Sequence, residues 1–501
     1  MSVSVYHEDA LTCKSETPEM TAIAESPLAR RVAARRRPSA KAYANRAAAL
    51  AEAGGYAAAE AAYRCAIAIE PTASRWYGLA GAIRGRGVDR LDEVATACRE
   101  TIGLDATFAE AYGTLAMVLG AQWEAGGDWP LIDEAIGHAW QAYRMTESAE
   151  YLIHYTLLLQ LAGRYQRAQS IWDAILAKGI AEPIHRVMRS MIALIRGEYL
   201  TGFSEYQQMF EPGVDDAKYP PREFRWNGQP TDRTITICAT HGYGDNFQFL
   251  RYAPLVRERC GRVVVAAFES SAHHHAASLF AGFPGVDAVV TSPGDAPTDG
   301  YWAPTGALPH IFGTTLATIP PPSITIDRAA IERWRPIVES IPGFRVGVVW
   351  RGDAKNRTDP RRSYDPALLA PLAAIPGVSL VALQFGRDDE IGDLPIAPIV
   401  GRVDWLDTAA VIAGLDLVIT CETGLAHLAG TIGVPTWIPL NDPPDWRWLI
   451  GRDESPWYPS IRLFRQAPRG GWDDVFRRIE GALRDRVSQV SLHQRGVTWQ
   501  D

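Results

Sequence analysis

The chain is short of cysteine, of long apolar runs and of positive charge, and each shortage removes a class of protein. Six cysteines, Cys13, Cys65, Cys98, Cys238, Cys260 and Cys421, are scattered through 501 residues, and no two form a CxxC pair. That spacing argues against a zinc site and for a reducing compartment. No apolar stretch approaches the roughly 18 residues that cross a bilayer. The first twenty residues carry charge and lack the apolar centre of a secretory signal. A cytoplasmic location without a membrane span is the expectation. The formal net charge is −8, so a non-specific nucleic-acid binder is not expected.

A hydrophobic content of 47 % over this length predicts several buried cores. Residues 1–38 are the exception. They lack periodicity and end in a basic run from Arg30 to Arg37, and they read as a disordered, solvated tail. Residues 491–501 read as a second tail.

Residues 40–212 are helical and alanine-rich. Gly163-Arg164-Tyr165 recurs as Gly197-Glu198-Tyr199, 34 residues on, which is the period of a helix–turn–helix repeat. The earlier Gly54-Gly55-Tyr56 fits the same series with an insertion near Gln122–Pro130. In the first repeat Tyr43, Ala47, Leu50, Ala59, Tyr63, Ala66 and Pro71 resemble the tetratricopeptide pattern. There, small residues let two helices approach, aromatics fill the gap beside them, and proline ends the second helix. About five repeats are implied, with a protein or peptide as the ligand of their groove.

After Pro212 the pattern changes to β-branched runs alternating with amphipathic helices, which predicts parallel α/β units. Strands are expected over Thr234–Ala239 and Arg262–Phe268. Others follow at Val346–Trp350, Ser379–Phe385, Leu415–Thr420 and Thr436–Leu440. They divide into lobes over 213–325 and 326–490, facing each other across a cleft at the C-terminal ends of the strands.

Four constellations carry the chemistry. His241-Gly242-Tyr243-Gly244-Asp245-Asn246 follows the first strand and opens a helix expected near Asn246. The third glycine of a dinucleotide fingerprint is missing. Asp245 is either a helix cap or a carboxylate presented to a ligand. The second is Glu422-Thr423-Gly424-Leu425-Ala426-His427 after a strand. Free amides at Thr423, Gly424 and Leu425 suit a diphosphate, and Glu422 suits ribose hydroxyls. By itself His427 reads as a hydrogen-bonded core histidine. The third is the basic loop holding Arg351, Lys355, Arg357, Arg361 and Arg362, read either as solvated or as phosphate-binding. The fourth, Asp445-Trp446-Arg447-Trp448 with Ser455-Pro456-Trp457-Tyr458-Pro459, either stacks on a ligand or wedges the second lobe together. His273-His274-His275 reads as an exposed segment rather than a metal site. No DxD-type metal motif ends a strand.

Together, residues 234–485 resemble the heptosyltransferase-like glycosyltransferases. The signatures are Gly244-Asp245 followed by Tyr252-Ala253-Pro254, and Glu422-Thr423-Gly424 with His427, Ala429 and Pro435. The resemblance implies an α + α/β chain, a tetratricopeptide-like superhelix followed by a GT-B fold of two Rossmann-like lobes. It implies Asp245 as the base, with His241, Gly242 and Gly244 forming its loop. Thr423, Gly424 and His427 correspond to the nucleotide-diphosphate site, and Arg361 or Arg362 to a basic phosphate ligand. Glu422 departs from the commoner Asp and leaves nucleotide identity open. The implied reaction is inverting transfer from a nucleotide-sugar to a protein or glycan acceptor recruited by the repeats, without cofactor or essential metal. The competing reading is a non-catalytic repeat scaffold with a degenerate transferase-like domain.

Overall fold

A computed structural model describes residues 38–180, 182–211, 220–268, 275–353, 356–399, 401–402 and 404–495. Expectations for residues 1–37, His273, His274, Lys355 and residues 496–501 lie outside the described residues. The chain divides into two compact units. One runs to Trp123 and resumes over Gly127–Leu158; the other comprises Glu124–Gly126 and Leu159–Asp501.

The first unit is built of helices α1 (Ala40–Glu52), α2 (Tyr56–Ile69), α3 (Ala73–Gly85), α4 (Leu91–Leu104), α5 (Ala109–Glu124) and α6 (Trp129–Thr146), with most of α7 (Ala149–Leu161). Ala47, Ala59 and Ala66 are fully buried, as the small positions of the repeat require. A Cβ on Gly78 would lie 2.4 Å from the Tyr63 ring, so the aromatic occupies the space the glycine vacates. Gly54 ends α1 with φ +78°, a left-handed conformation that costs glycine little. An ionic knot then ties α2 to the α3–α4 turn. Glu60 on α2 accepts from Arg64, Arg86 and Arg90. The Arg90 hydrogen bonds, joined by those of Arg86 and Arg64, outweigh burial and pull the Glu60 carboxyl down to about 2. Three guanidinium groups thus compensate its removal from water.

The second unit opens with α8 (Tyr165–Ala177), α9 (Pro183–Ile195) and α10 (Tyr199–Tyr206). Gly163 and Gly197 before α8 and α10 have φ +72° and +80°. The repeated Gly-x-Tyr is therefore a left-handed turn followed by the first residue of a helix.

The first lobe has β1 (Thr234–Cys238), β2 (Arg262–Ala266), β3 (Ala288–Val290) and β4 (Tyr301–Pro304). All its ladders are parallel, in the order β3-β2-β1-β4. The second lobe has β5 (Phe344–Val349), β6 (Val378–Ala382), β7 (Ile396–Pro398), β8 (Leu417–Thr420), β9 (Thr436–Leu440) and β10 (Ile461–Arg465). They form a parallel sheet in the order β10-β9-β8-β5-β6-β7. The α + α/β class is the one expected, helical repeats followed by two GT-B-like lobes.

Strand order reverses beside β1 in one sheet and between β5 and β8 in the other. The loops leaving β1, β5 and β8 therefore open onto crevices where such sheets bind ligands. After β1 comes α11 (Tyr243–Phe249); α12 (Arg328–Glu339) precedes β5, α13 (Trp405–Ala413) precedes β8, and after β8 comes α14 (Gly424–Ile432), which ends at Gly433 with φ +87°. Helices α11 and α14 pack together and join the lobes. The final helix α15 (Trp472–Arg495) buries Val475, Phe476, Ile479 and Leu483, with Trp472 and Phe476 against Tyr364.

Repeat aromatics complete the core of this unit. Tyr199, Phe203 and Tyr206 on α10 are buried. Tyr199 stacks on Trp457 at 5.4 Å, and Phe203 meets Trp446 edge-on at 5.7 Å. Of the two readings of the Trp-rich segments, this is the wedge. Trp446, Trp448 and Trp457 are at most 4 % exposed and pack against protein.

Candidate functional site

The loop after β1 is fixed before any ligand arrives. Asn246 is fully buried; its amide donates to the carbonyls of Thr240 and Gly242 and accepts from the Thr240 N–H. Asp245 closes the turn by accepting the Gly242 N–H at 3.1 Å. The helix therefore begins at Tyr243, three residues before the expected Asn246, because Asp245 caps it from its third position. Capping does not consume this carboxylate. It lines a cleft of about 610 Å³ between the lobes.

The cleft gathers most of the expected residues. Gly242, Gly244 and Asp245 come from the first lobe; Arg351, Arg362, Glu422, Thr423, Gly424, Leu425 and His427 come from the second. Arg361 and His241 are not among the lining residues. His241 is exposed at φ +57°, with its ring 5.5 Å from Phe210. Arg361 sits on the short helix Asp359–Arg362.

The start of α14 carries no side-chain cap. Thr423, at its N-cap position, turns its hydroxyl to Thr420 at 3.3 Å. Helix geometry leaves the first amides without intrahelical acceptors, and Thr423, Gly424 and Leu425 present that end to the cleft. A partial positive charge of about half a unit accompanies it.

The glycines at this junction serve a purpose the sequence reading missed. A Cβ on Gly244 would come within 2.7 Å of His427 and 3.3 Å of the Gly424 Cα, and one on Gly424 within 3.3 Å of the Gly244 nitrogen. The two signature loops touch backbone to backbone, so their glycines let the lobes approach each other.

Arg362 donates to buried Asp359 at 3.0 Å. A Cβ on Gly352 would lie 2.7 Å from its Nη2, so the guanidinium lies across the loop after β5. Arg351 is half-exposed; its N–H and that of Trp350 both donate to Gln384.

Glu422 is half-buried next to Asp445. Burial, then the Asp445 charge, raises its carboxyl well above the usual range, against the pull of Arg362 and Arg447. His427 is 5 % exposed, stacks on Trp448 at 5.3 Å and meets the Tyr458 hydroxyl at 3.0 Å through Nδ1. Burial, reinforced by Arg447, pushes it down to about 3, so the ring is neutral. It is both a packed core histidine and part of the cleft wall.

Arg447, which sequence reasoning leaves among the aromatics without a role, lines the cleft and pairs with Asp245. The signal was its alternation with two buried tryptophans, which turns the charged residues of Asp445-Trp446-Arg447-Trp448 away from the core. Trp405, Gln384 and Phe385 also line the cleft and carry no motif, and Asn356 of the basic loop joins them. Among the described residues no group of three or more His, Cys, Asp or Glu could hold a metal, and no helix is long and apolar enough to cross a membrane.

No family model matches the chain. It is 27 % identical over 438 residues to protein FlbA of Caulobacter vibrioides, covering 80 % of this chain and 71 % of that one. Among solved structures it is similar to a glycosyl transferase family 9 protein from Veillonella parvula, with a TM-score of 0.37 and 11 % identity over 47 % of this chain and 86 % of that one. It is also similar to YrrB, described as a TPR protein with an unusual peptide-binding site, with a TM-score of 0.32 and 14 % identity over 37 % of this chain and 93 % of that one. A thermophilic TPR protein of Thermus thermophilus gives a TM-score of 0.28 and 17 % identity over 36 % of this chain and 93 % of that one.

Proposed function

We propose that the unit Leu159–Asp501 is an inverting glycosyltransferase that uses a nucleotide-sugar. The observation that carries this reading is the shared cleft. An uncapped helix start and three arginines, Arg351, Arg362 and Arg447, stand in one cavity with the carboxylate Asp245.

The diphosphate of the donor lies at Thr423–Leu425, where helix amides and guanidinium groups meet its charge. Asp245 accepts the proton of an acceptor hydroxyl as that oxygen bonds to the anomeric carbon. The bond from that carbon to the diphosphate oxygen breaks, the configuration inverts, and the nucleoside diphosphate leaves as an anion. Arginines and amides supply the positive charge for this step. Glu422 accepts hydrogen bonds from ribose hydroxyls. The repeats of the first unit bind the acceptor polypeptide.

Calorimetric titration of the full chain with ADP, GDP, UDP and CMP tests the donor site. One nucleoside diphosphate is expected to bind, and more tightly than CMP. Binding of none of the four removes the transferase reading and leaves the repeat scaffold. A pH dependence follows from Glu422. With its carboxyl raised, it is neutral at low pH and becomes an anion beside the diphosphate as pH rises. Repulsion from the diphosphate outweighs the stronger ribose hydrogen bonds of the anion, and affinity should therefore fall between about pH 6 and 8. Comparing wild type with Glu422→Gln at each pH cancels the nucleotide's own titration. Equal pH slopes for the two proteins would show that Glu422 does not titrate against the ligand.

A further inference from the structure

Within this transferase reading, which it deepens, we propose that Arg447 is the positioning residue of Asp245: carried by the second lobe, its guanidinium holds the first-lobe carboxylate as an anion facing the cleft.

The geometry is specific. Asp445 caps the short turn Trp446–Trp448 by accepting the Arg447 N–H at 2.9 Å. Trp446 and Trp448 are buried on either side, and the guanidinium lies 4.4 Å from the Trp446 ring centre. Every guanidinium nitrogen is engaged. Nη1 donates to Asp445 at 2.8 Å, Nε to Gln248 at 2.9 Å, and Nη2 to Asp245. Gln248 and Asp245 both belong to α11, so two of the three bonds cross the cleft from one lobe to the other.

The effect on Asp245 follows from charge and burial. One oxygen accepts from Gly242 and the other from Arg447. Burial by itself favours the neutral acid, which cannot take a proton from an acceptor. Arg447 is the largest opposing influence, ahead of His241 and the Gly242 amide, and the carboxyl is held below the usual range. Asp245 therefore stays ionised. The same arginine stands next to Trp448, which stacks on His427 of α14, so the base is held in register with the helix start that receives the leaving group.

The test needs no substrate. Stability of the full chain is measured by denaturant midpoint across about pH 4–6 for wild type, Asp245→Asn, Arg447→Met and the double variant, with Arg447→Lys as the conservative substitution. In each background, the stability difference between the protein that keeps Asp245 and its Asp245→Asn counterpart reports the titration of this one carboxyl. With Arg447 present, its folded pKa lies below the unfolded value, so both states are ionised at the upper end of this window and the difference is nearly flat. Without Arg447, burial raises the folded pKa. The folded state then binds more protons than the unfolded one, and the difference falls as pH rises. Arg447→Lys should stay closer to wild type. A purely structural arginine would shift all midpoints without changing this slope, and an equal slope with and without Arg447 overturns the proposal. The nucleotide screen decides the transferase reading separately, so the two can fail independently.

Discussion

Asp245→Asn is expected to lower turnover of the nucleotide-sugar by about 10²–10⁴-fold, the usual contribution of a general base, while nucleoside diphosphate affinity stays near wild type. The substitution keeps size and shape. The Asn oxygen can still accept the Gly242 N–H that closes the turn, and Arg447 keeps Asp445 and Gln248 as partners. What disappears is the anion that receives a proton. Release of nucleoside diphosphate from sugar derivatives of the nucleotide that the screen identifies, followed in both proteins, measures the effect. Equal, measurable rates would remove Asp245 from the chemistry, and no release in either protein would favour a binding module over an enzyme.

The second large effect concerns where the two-lobed unit begins. A chain starting at Ala149, the first residue of α7, should unfold cooperatively, whereas one starting at Pro220 should not fold. The later start deletes Tyr199, Phe203, Tyr206 and Phe210, all buried at 5 % exposure or less, and uncovers Trp446 and Trp457. Truncating one such aromatic to alanine costs about 3–5 kcal/mol. Losing several exhausts the roughly 5–15 kcal/mol that typically separates a folded domain from its unfolded chain. Circular dichroism melting of the two shortened chains distinguishes the cases. A cooperative transition in the Pro220 chain at the temperature of the longer one would mean that the repeat aromatics merely lie on the lobes. Phe203→Ala in the full chain is the milder version.

This explains which parts of the fold could be read from the sequence. Local patterns were legible: β9 spans Thr436–Leu440 as expected, and Gly163 and Gly197 mark left-handed turns because no other residue adopts them so readily. The change of composition after Pro212 marks where helices give way to strands. The compact unit nevertheless begins at Leu159, because packing of α10 on Trp446 and Trp457 joins residues about 250 apart in sequence, which no local periodicity encodes. The same limit applies at the site. Asp245, Glu422 and Thr423 stood out because strand–loop–helix geometry places them at a strand's C-terminal end. Arg447 did not, because its partner Asp245 lies 202 residues away in sequence. Gly244 and Gly424 were visible as glycines, but only the packed lobes show that each makes room for the other.

The most direct measurement is a crystal structure of the full chain with the nucleoside diphosphate that binds it. Phosphate oxygens within hydrogen-bonding distance of the Gly424 and Leu425 amides, ringed by Arg351, Arg362 and Arg447 and facing Asp245, are the predicted result. A diphosphate bound away from the start of α14, with Asp245 on another surface, would contradict it.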